Sequence, residues 1–181
     1  FKTKEETSSP TVSTEAFFLS TTQDAHEERD VAFVDIPGAF MQANMPEGDV
    51  VNIRLHGEMA DLLVKIDPSR YQTYVTYEKG KPVIYAQLTK ALYGQLEAAL
   101  LFWRRLTSYL EDHDFKVNPY DWCVMNKSVE GTQCTILWHV DDLKISHVNP
   151  TVVSKIIQDL DDKFGHCLLY TSDAADEVDS V

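Results

Sequence analysis

The sequence lacks the features of membrane-spanning and disulfide-rich secreted proteins. It has only 3 cysteines, an odd number that suits a reducing compartment better than a disulfide scaffold. No apolar run is long enough to span a bilayer, and no stretch combines a basic segment with an apolar signal-peptide core. These absences predict an intracellular, cytoplasmic protein without a membrane partner.

Basic residues are also scarce. The chain has 16 lysines and arginines against 29 aspartates and glutamates, so its formal net charge is −13. Most nucleic-acid-binding domains carry a basic patch that neutralises phosphates, and this balance counts against such a partner. It does not exclude one, because a metal site itself needs local carboxylates.

The residues that are present can build one packed domain. The length is 181 residues, and 44% of them are hydrophobic. Periodicity and turn residues predict the order helix, strand, strand, helix, strand, helix, strand, strand, strand, helix, at about residues 14–28, 31–35, 51–55, 58–65, 83–88, 97–113, 122–127, 135–140, 143–146 and 150–164. Because the elements do not alternate regularly, we expect an α+β fold with helices packed on one face of an antiparallel sheet.

Three aspartates stand at predicted strand ends. Asp141 and Asp142 lie where an alternating strand meets a returning strand, and Asp35 ends an apolar strand just before Pro37. One interpretation is that the adjacent pair only forms a tight turn, where aspartate is favoured. The other is that all three meet, since carboxylates can hold two hard divalent cations. Such a metal pair stabilises an in-line phosphoryl displacement.

Two weaker patterns leave alternatives open. Cys123, Cys134, His139 or His147 could form a zinc site, but no CxxC pair supports it and core burial of the thiols explains them as well. The tyrosines at positions 71, 74 and 77 could stack on nucleic-acid bases or simply pack as bulky aromatics.

Four segments, in order along the chain, resemble the palm of a copia-type retrotransposon reverse transcriptase. Residues 6–12 (ETSSPTV) are similar to the family's EETFSPVV, and residues 34–43 (VDIPGAFMQA) to its MDVKTAFLNG. Residues 88–103 (LTKALYGQLEAALLFW) are similar to LKKALYGLKQAPRAWY. Residues 139–142 (HVDD) are similar to YVDD, and residues 114–121 fit the GF…SxxD segment before it.

The resemblance implies an RNA-directed DNA polymerase, in which a primer 3′-hydroxyl attacks the α-phosphate of a deoxynucleoside triphosphate. Asp35 and Asp141 would be the principal ligands of two Mg²⁺ ions, or of Mn²⁺ in their place. Asp142 would be the supporting carboxylate, and the backbone carbonyl of Ile36 would add an oxygen ligand.

The resemblance also implies residues that contact substrate. Phe40 matches the bulky position that selects against a ribose 2′-hydroxyl, although a plain core aromatic is the alternative. Leu92, Tyr93 and Gly94 would form the floor under nucleotide and template, with glycine allowing close backbone approach. His139 stands where the family has tyrosine beside the aspartates, and would pack on the primer.

Three departures from the family pattern affect charge. Glu97 falls on the family's glutamine and Leu100 on its arginine, so an acid is gained and a base lost near the expected template. Pro37 and Gly38 replace lysine and threonine, which removes another basic contact.

The expected organisation follows from the same resemblance. Residues 1–30 would end the fingers and begin the palm, 31–165 would form the palm, and 166–181 would be an irregular, non-native tail similar to a translated sequencing adapter. Fingers and thumb would be incomplete.

The partners would be an RNA template, a DNA primer and a deoxynucleotide, with integrase and RNase H as neighbouring polyprotein domains and a virus-like particle as the location. The alternative function is a catalytically inactive or domesticated remnant that acts as a nucleic-acid or protein interaction module.

Overall fold

A computed structural model of the chain describes residues 7–165 and 167–170. This part is an α+β fold with antiparallel sheets and helices, as predicted. The helices are α1 (Thr14–His26), α2 (Ala39–Gln42), α3 (Glu58–Ile66), α4 (Pro68–Tyr71), α5 (Ala98–Asp112) and α6 (Pro150–Phe164), and a 3₁₀ turn spans Gln72–Tyr74. The strands are β1 (Asp30–Asp35), β2 (Asn52–His56), β3 (Thr76–Glu78), β4 (Lys81–Gln87), β5 (Lys116–Asn118), β6 (Asp121–Val129), β7 (Thr132–His139), β8 (Asp142–His147) and β9 (Leu168–Tyr170).

The larger sheet has six antiparallel strands in the order β5-β6-β7-β8-β1-β9. Two-residue turns join its central hairpins, with left-handed residues at Glu130 and Gly131 in the first. Strand β1 comes from far earlier in the sequence and pairs with β8, so that Asp35 is opposite Asp142 and Asp30 is opposite His147. This long-range pairing brings the first aspartate segment to the second.

One face of the larger sheet forms the main hydrophobic core. Side chains alternate between the two faces of a strand, so the inward positions recur every second residue. Helices α5 and α6 cover this face, and α6 contacts β1 and β8 directly. The buried sheet residues of this core are Ala32, Val34, Cys123, Met125, Cys134, Ile136, Trp138, Leu143 and Ile145.

The opposite face of the same sheet carries helix α1. Lys144 projects from β8 on this side, and its ammonium donates to Ser20 (2.8 Å) and forms an ion pair with the Asp24 carboxylate, both on α1. All three residues are buried. The prediction that helices pack on one face is therefore wrong, because the lysine inside β8 needs a buried partner that only a helix on the second face supplies.

The smaller sheet has three antiparallel strands in the order β2-β4-β3. A hairpin at Lys79 and Gly80, both in the left-handed region, joins β3 to β4. Helix α3 packs beside β2 and β4. The sequence pattern predicts β2 and β4 but not their separation from the other strands into a second sheet.

Polar side chains cap the starts of α1 and α6. The Ser13 hydroxyl accepts a hydrogen bond from the Ala16 amide (3.2 Å) at the start of α1. Asn149 caps α6 by accepting from the Thr151 amide (3.0 Å), and Pro150 occupies the first turn. Side-chain oxygens at these positions satisfy amides that the helix leaves unpaired.

The end of the described chain differs from the expectation of an irregular tail. Residues 168–170 form strand β9 and pair with β1, so that Leu168 is opposite Asp35. Residue 166 and residues 171–181 of the predicted tail lie outside the described residues, as do residues 1–6. The pairing arises because β1 would otherwise be an edge strand with unpaired backbone groups.

Candidate active site

The three predicted aspartates meet at one end of the larger sheet. Asp35 is the last residue of β1 and Asp142 the first of β8, and they are direct antiparallel partners. Directly opposite residues project from the same face of a sheet. Asp141 lies in the adjoining turn, where its carbonyl oxygen accepts a hydrogen bond from the Ile36 amide (3.2 Å). The backbone thus ties the β1 end to the β7–β8 turn.

The turn before Asp142 is strained. His139 and Asp142 close a two-residue hairpin, so the turn residues are Val140 and Asp141, whereas the sequence predicted Asp141 and Asp142. Val140 has φ +61°, a left-handed conformation that is unfavourable for a β-branched residue. Such strain persists only where surrounding structure enforces it, and it is concentrated at functional sites.

The carboxylates repel one another. Burial raises the pKa of the Asp35 carboxyl above its ordinary value, and the negative charges of Asp141 and Asp142 raise it further. Lysine and arginine form no ion pair with these three side chains in the described part of the chain. The site therefore concentrates negative charge that no lysine or arginine among the described residues neutralises by an ion pair.

This environment suits a hard divalent cation in charge and in donor type, since Mg²⁺ prefers carboxylate and carbonyl oxygens. Within residues 7–165 and 167–170, however, no group of three or more histidine, cysteine, aspartate or glutamate side chains is arranged closely enough to hold an ion. The carboxylate and carbonyl oxygens are therefore of the type that Mg²⁺ prefers, but the side chains are not positioned closely enough to bind an ion as they stand.

Two aromatic rings lie beside the carboxylates. Phe40 on α2 stacks on Tyr93, with ring centroids 4.3 Å apart and planes tilted by 33°. The Tyr93 hydroxyl points at an Asp141 carboxylate oxygen at 3.5 Å, the outer limit of a hydrogen bond. Burial, with the charges of Asp141 and Asp35, raises the pKa of Tyr93, so its hydroxyl stays protonated at neutral pH.

The loop that carries Tyr93 is anchored to the segment after α2. Its backbone pairs with that segment through the amide of Ala91, which donates to the Ala43 carbonyl (2.9 Å). The Gln95 side chain accepts from the Leu92 amide (3.0 Å), a contact the sequence did not predict. Gly94 has φ +94°, which a side chain would make costly. Leu92, Tyr93 and Gly94 thus lie together in an exposed loop facing the aspartates.

The remaining predicted residues differ in how exposed their side chains are. His139 is exposed and lies on the Asp142 side of the sheet. The side chain of Ile36 is fully buried in the core, while its amide holds the turn. Leu100 is buried as well, so the position where the family has arginine packs into the protein rather than facing a template.

One residue behind the site was missed from the sequence. Lys144 follows Asp142 by two positions on the same face, and its ion pair with Asp24 fixes β8 against α1. The signal was a lysine between Leu143 and Ile145 in an otherwise apolar strand, since buried charges are paired.

The alternative zinc site is contradicted. His139 projects from the opposite face of the sheet to Cys134, and His147 is buried with its ring bonded to Thr132 and to the Asn149 amide. Burial raises the pKa of Cys123 to about 12 and of Cys134 to about 11. Among the described residues, which include all four candidates, no three histidine, cysteine, aspartate or glutamate side chains lie close enough together to hold a metal ion.

Comparison with known proteins adds no relative. No family model matches the chain, and no curated protein or solved structure is significantly similar to it. None of the helices within residues 7–165 and 167–170 is long and apolar enough to cross a membrane.

Proposed function

We propose that the chain is the palm of a copia-type RNA-directed DNA polymerase. The observation that carries the proposal is the meeting of Asp35 with Asp141 and Asp142 at one end of a sheet, from segments far apart in sequence. The antiparallel sheet with α5 and α6 behind it agrees with a palm. The stacked Phe40 and Tyr93 stand beside the aspartates, where the resemblance expects nucleotide contacts.

The chemistry divides between these groups. Asp35 and Asp141 would hold the two Mg²⁺ ions with support from Asp142, and bound Mg²⁺ would supply charge stabilisation for an in-line phosphoryl transfer. The Tyr93 hydroxyl, kept protonated, donates toward Asp141 and orients that carboxylate. The Phe40 ring, stacked on Tyr93, has little freedom to move away from a ribose 2′-hydroxyl.

The finer expectations belong to this proposal. An RNA template, a DNA primer and a deoxynucleotide are the proposed partners, and integrase and RNase H are the proposed neighbouring domains of the polyprotein. A virus-like particle in the cytoplasm is the proposed location.

Primer extension tests the proposal. The template is poly(rA) annealed to oligo(dT), with Mg²⁺ or Mn²⁺, and the chain is joined to fingers and thumb segments. We expect extension that falls about a thousandfold or more in Asp141→Asn, because metal charge stabilisation amounts to several kcal/mol. Asp30→Asn, on the same strand as Asp35 but at its other end, is the matched control and should extend normally.

The alternative, an inactive remnant that acts as an interaction module, is favoured by the charge of −13 and by the absence of an assembled metal-ligand group in the described residues. A folded protein that binds primer–template and never extends it would establish the remnant. Extension that is insensitive to Asp141→Asn would refute the assignment of Asp141 as a metal ligand, and it would also refute the inactive remnant.

A further inference from the structure

The smaller sheet has an exposed polar face. In the β2–β4 and β3–β4 pairings, Arg54 is opposite Tyr85 and Glu78 is opposite Lys81, so all four project from one side. Arg54, Lys81 and Tyr85 are exposed, and the Tyr85 side chain retains 53% of its accessible surface. The other polar members of this face are Asn52, His56, Thr76 and Gln87, and Val83 lies buried among them.

Charge is distributed unevenly between this region and the rest of the molecule. Residues 50–90 contain 6 of the 16 basic and 4 of the 29 acidic residues, and so carry a formal charge of +2. The remaining residues, with 10 basic and 25 acidic, carry −15. Within that range, the strands of the smaller sheet and the β3–β4 turn carry Arg54, Lys79 and Lys81 against the single acid Glu78. The smaller sheet is therefore a positive region on an acidic protein, which is where a polyanion can approach.

A hydrogen-bond network holds the aromatic and the cation side by side. The Arg54 guanidinium donates twice to one Glu78 oxygen (2.6 and 3.2 Å), and the Tyr85 hydroxyl donates to the other (2.6 Å). These hydrogen bonds, first the one from Tyr85, lower the pKa of Glu78, so the network persists at neutral pH. The Tyr85 ring is thereby fixed next to a guanidinium.

A groove of about 640 Å³ runs beside this network. It is lined by Arg54, His56, Glu78, Lys79 and Lys81. Glu78 is the one acid in this lining, and Arg54 already neutralises it. Lys79 and Lys81 flank the groove from the β3–β4 hairpin with exposed side chains, and neither has an ion pair in the described part of the chain.

We propose that this face binds single-stranded nucleic acid, with Lys79 and Lys81 on the phosphates and the Tyr85 ring stacked on a base. Lysines supply the phosphate contacts that dominate affinity, and an exposed ring stacks on any unpaired base. A duplex offers no free base to that ring. The inference does not depend on the carboxylate site, since it uses residues of the other sheet.

Fluorescence anisotropy of the 181-residue chain with labelled single-stranded oligonucleotides tests the proposal. The variant Lys79→Gln/Lys81→Gln should bind at least tenfold more weakly at low salt. Its slope of log affinity against log salt should be shallower by about 1.4, because each lost phosphate contact removes about 0.7 for single strands. The charge-matched control Lys116→Gln/Lys155→Gln, exposed on the larger sheet and α6, should bind within twofold of the parent.

A separate variant tests the stacking of a base on Tyr85. Tyr85→Leu should weaken single-strand binding about fivefold, the lower end for one base–aromatic stack, and should leave heparin binding unchanged. Circular dichroism verifies that each variant is folded. Single-strand binding should persist in buffer that contains EDTA and no divalent cation, which separates this proposal from the metal-dependent polymerase assignment.

Three results would overturn the proposal. The first is no measurable binding of the parent chain at low salt. The second is an equal loss in the Lys116→Gln/Lys155→Gln control. The third is equal affinity for duplex, heparin and single strands, together with unchanged binding in Tyr85→Leu. That result would show that the face binds any polyanion and does not recognise unpaired bases.

Discussion

The two sheets differ in how their faces are used. In β8 of the larger sheet five consecutive residues are buried, whereas β2 of the smaller sheet alternates between exposed and half-buried residues. Helices α5 and α6 cover one face of the larger sheet and α1 covers part of the other, and the three mutually repelling carboxylates lie at the end of this sheet. The smaller sheet leaves one face in solvent, where Arg54 and Tyr85 remain available to a partner. Buried side chains are thus concentrated in the larger sheet, and accessible polar side chains lie on the smaller one.

Truncating a core aromatic of the larger sheet should have the largest effect. Trp138 lies on β7 and retains only 1% of its accessible surface. Trp138→Ala should lower the free energy of unfolding by about 3–5 kcal/mol, since the lost burial is compounded by a cavity. Urea unfolding measures this. Tyr85→Ala in the smaller sheet is the matched aromatic control, with a shift within about 0.5 kcal/mol expected for an exposed position. Equal losses would contradict the division between the sheets.

The next largest difference should be between the stability costs of breaking the ion pair of each sheet. Asp24→Asn leaves the buried Lys144 ammonium without a counter-charge, and should cost about 3 kcal/mol, the lower end for breaking a buried pair. The amide oxygen can still accept a hydrogen bond, which limits the loss. Glu78→Gln, in the exposed pair with Arg54, should leave the urea midpoint unchanged.

An apolar replacement sharpens that test. Asp24→Leu/Lys144→Met should recover most of the stability lost in Asp24→Asn, because well-packed hydrophobic residues often replace a buried pair at no cost. A double variant as unstable as Asp24→Asn would show that the pair contributes more than mutual neutralisation.

Much of this division could be read from the sequence, because it depends on local patterns. Periodicity and turn residues predicted helices from about residues 14 and 150, where α1 and α6 begin, and a strand at residues 135–140, which overlaps β7. Asp35 and Asp141 were predicted to meet from motif order, and the β1–β8 pairing brings them together.

The failures concern long-range contacts, which no local pattern encodes. The Lys144–Asp24 pair placed α1 on the second face, and the choice between one sheet and two depended on how β2, β3 and β4 pair. The turn was displaced by one residue because His139 and Asp142 pair, which leaves Val140 in the turn although valine is a poor turn residue.

That strained valine provides a third prediction about the larger sheet. Val140→Gly should raise the free energy of unfolding by about 1 kcal/mol, because glycine adopts positive φ without steric cost. The corresponding change in the smaller sheet, Lys79→Gly at φ +48°, should gain less, since lysine is not β-branched. Urea midpoints of the two variants measure the difference. A destabilised Val140→Gly would show that the valine side chain contributes packing worth more than the strain.

The smallest effect should come from the Asp35 carboxyl, whose pKa is raised by its burial and then by repulsion from Asp141 and Asp142. Its pKa is raised in the folded protein, so folding favours the protonated carboxyl, and the ionised form destabilises the fold at pH values above that pKa. Asp35→Asn mimics the protonated form and should therefore be more stable than the parent at pH 7.5. The gain should shrink as the pH falls through the folded pKa and vanish below about pH 4, the ordinary carboxyl range.

Urea midpoints in metal-free buffer, measured from pH 7.5 downward, follow this dependence. Asp30→Asn, at the other end of β1, changes the net charge by the same amount and should show no pH-dependent gain in stability. A gain in Asp35→Asn that persists at acid pH would assign the effect to packing instead of charge. If repulsion is the cause, Mg²⁺ should narrow the difference at pH 7.5, because a cation that binds only the folded parent stabilises it by mass action. The same three charges that weaken this end of the larger sheet would then be the ones that select its ligand.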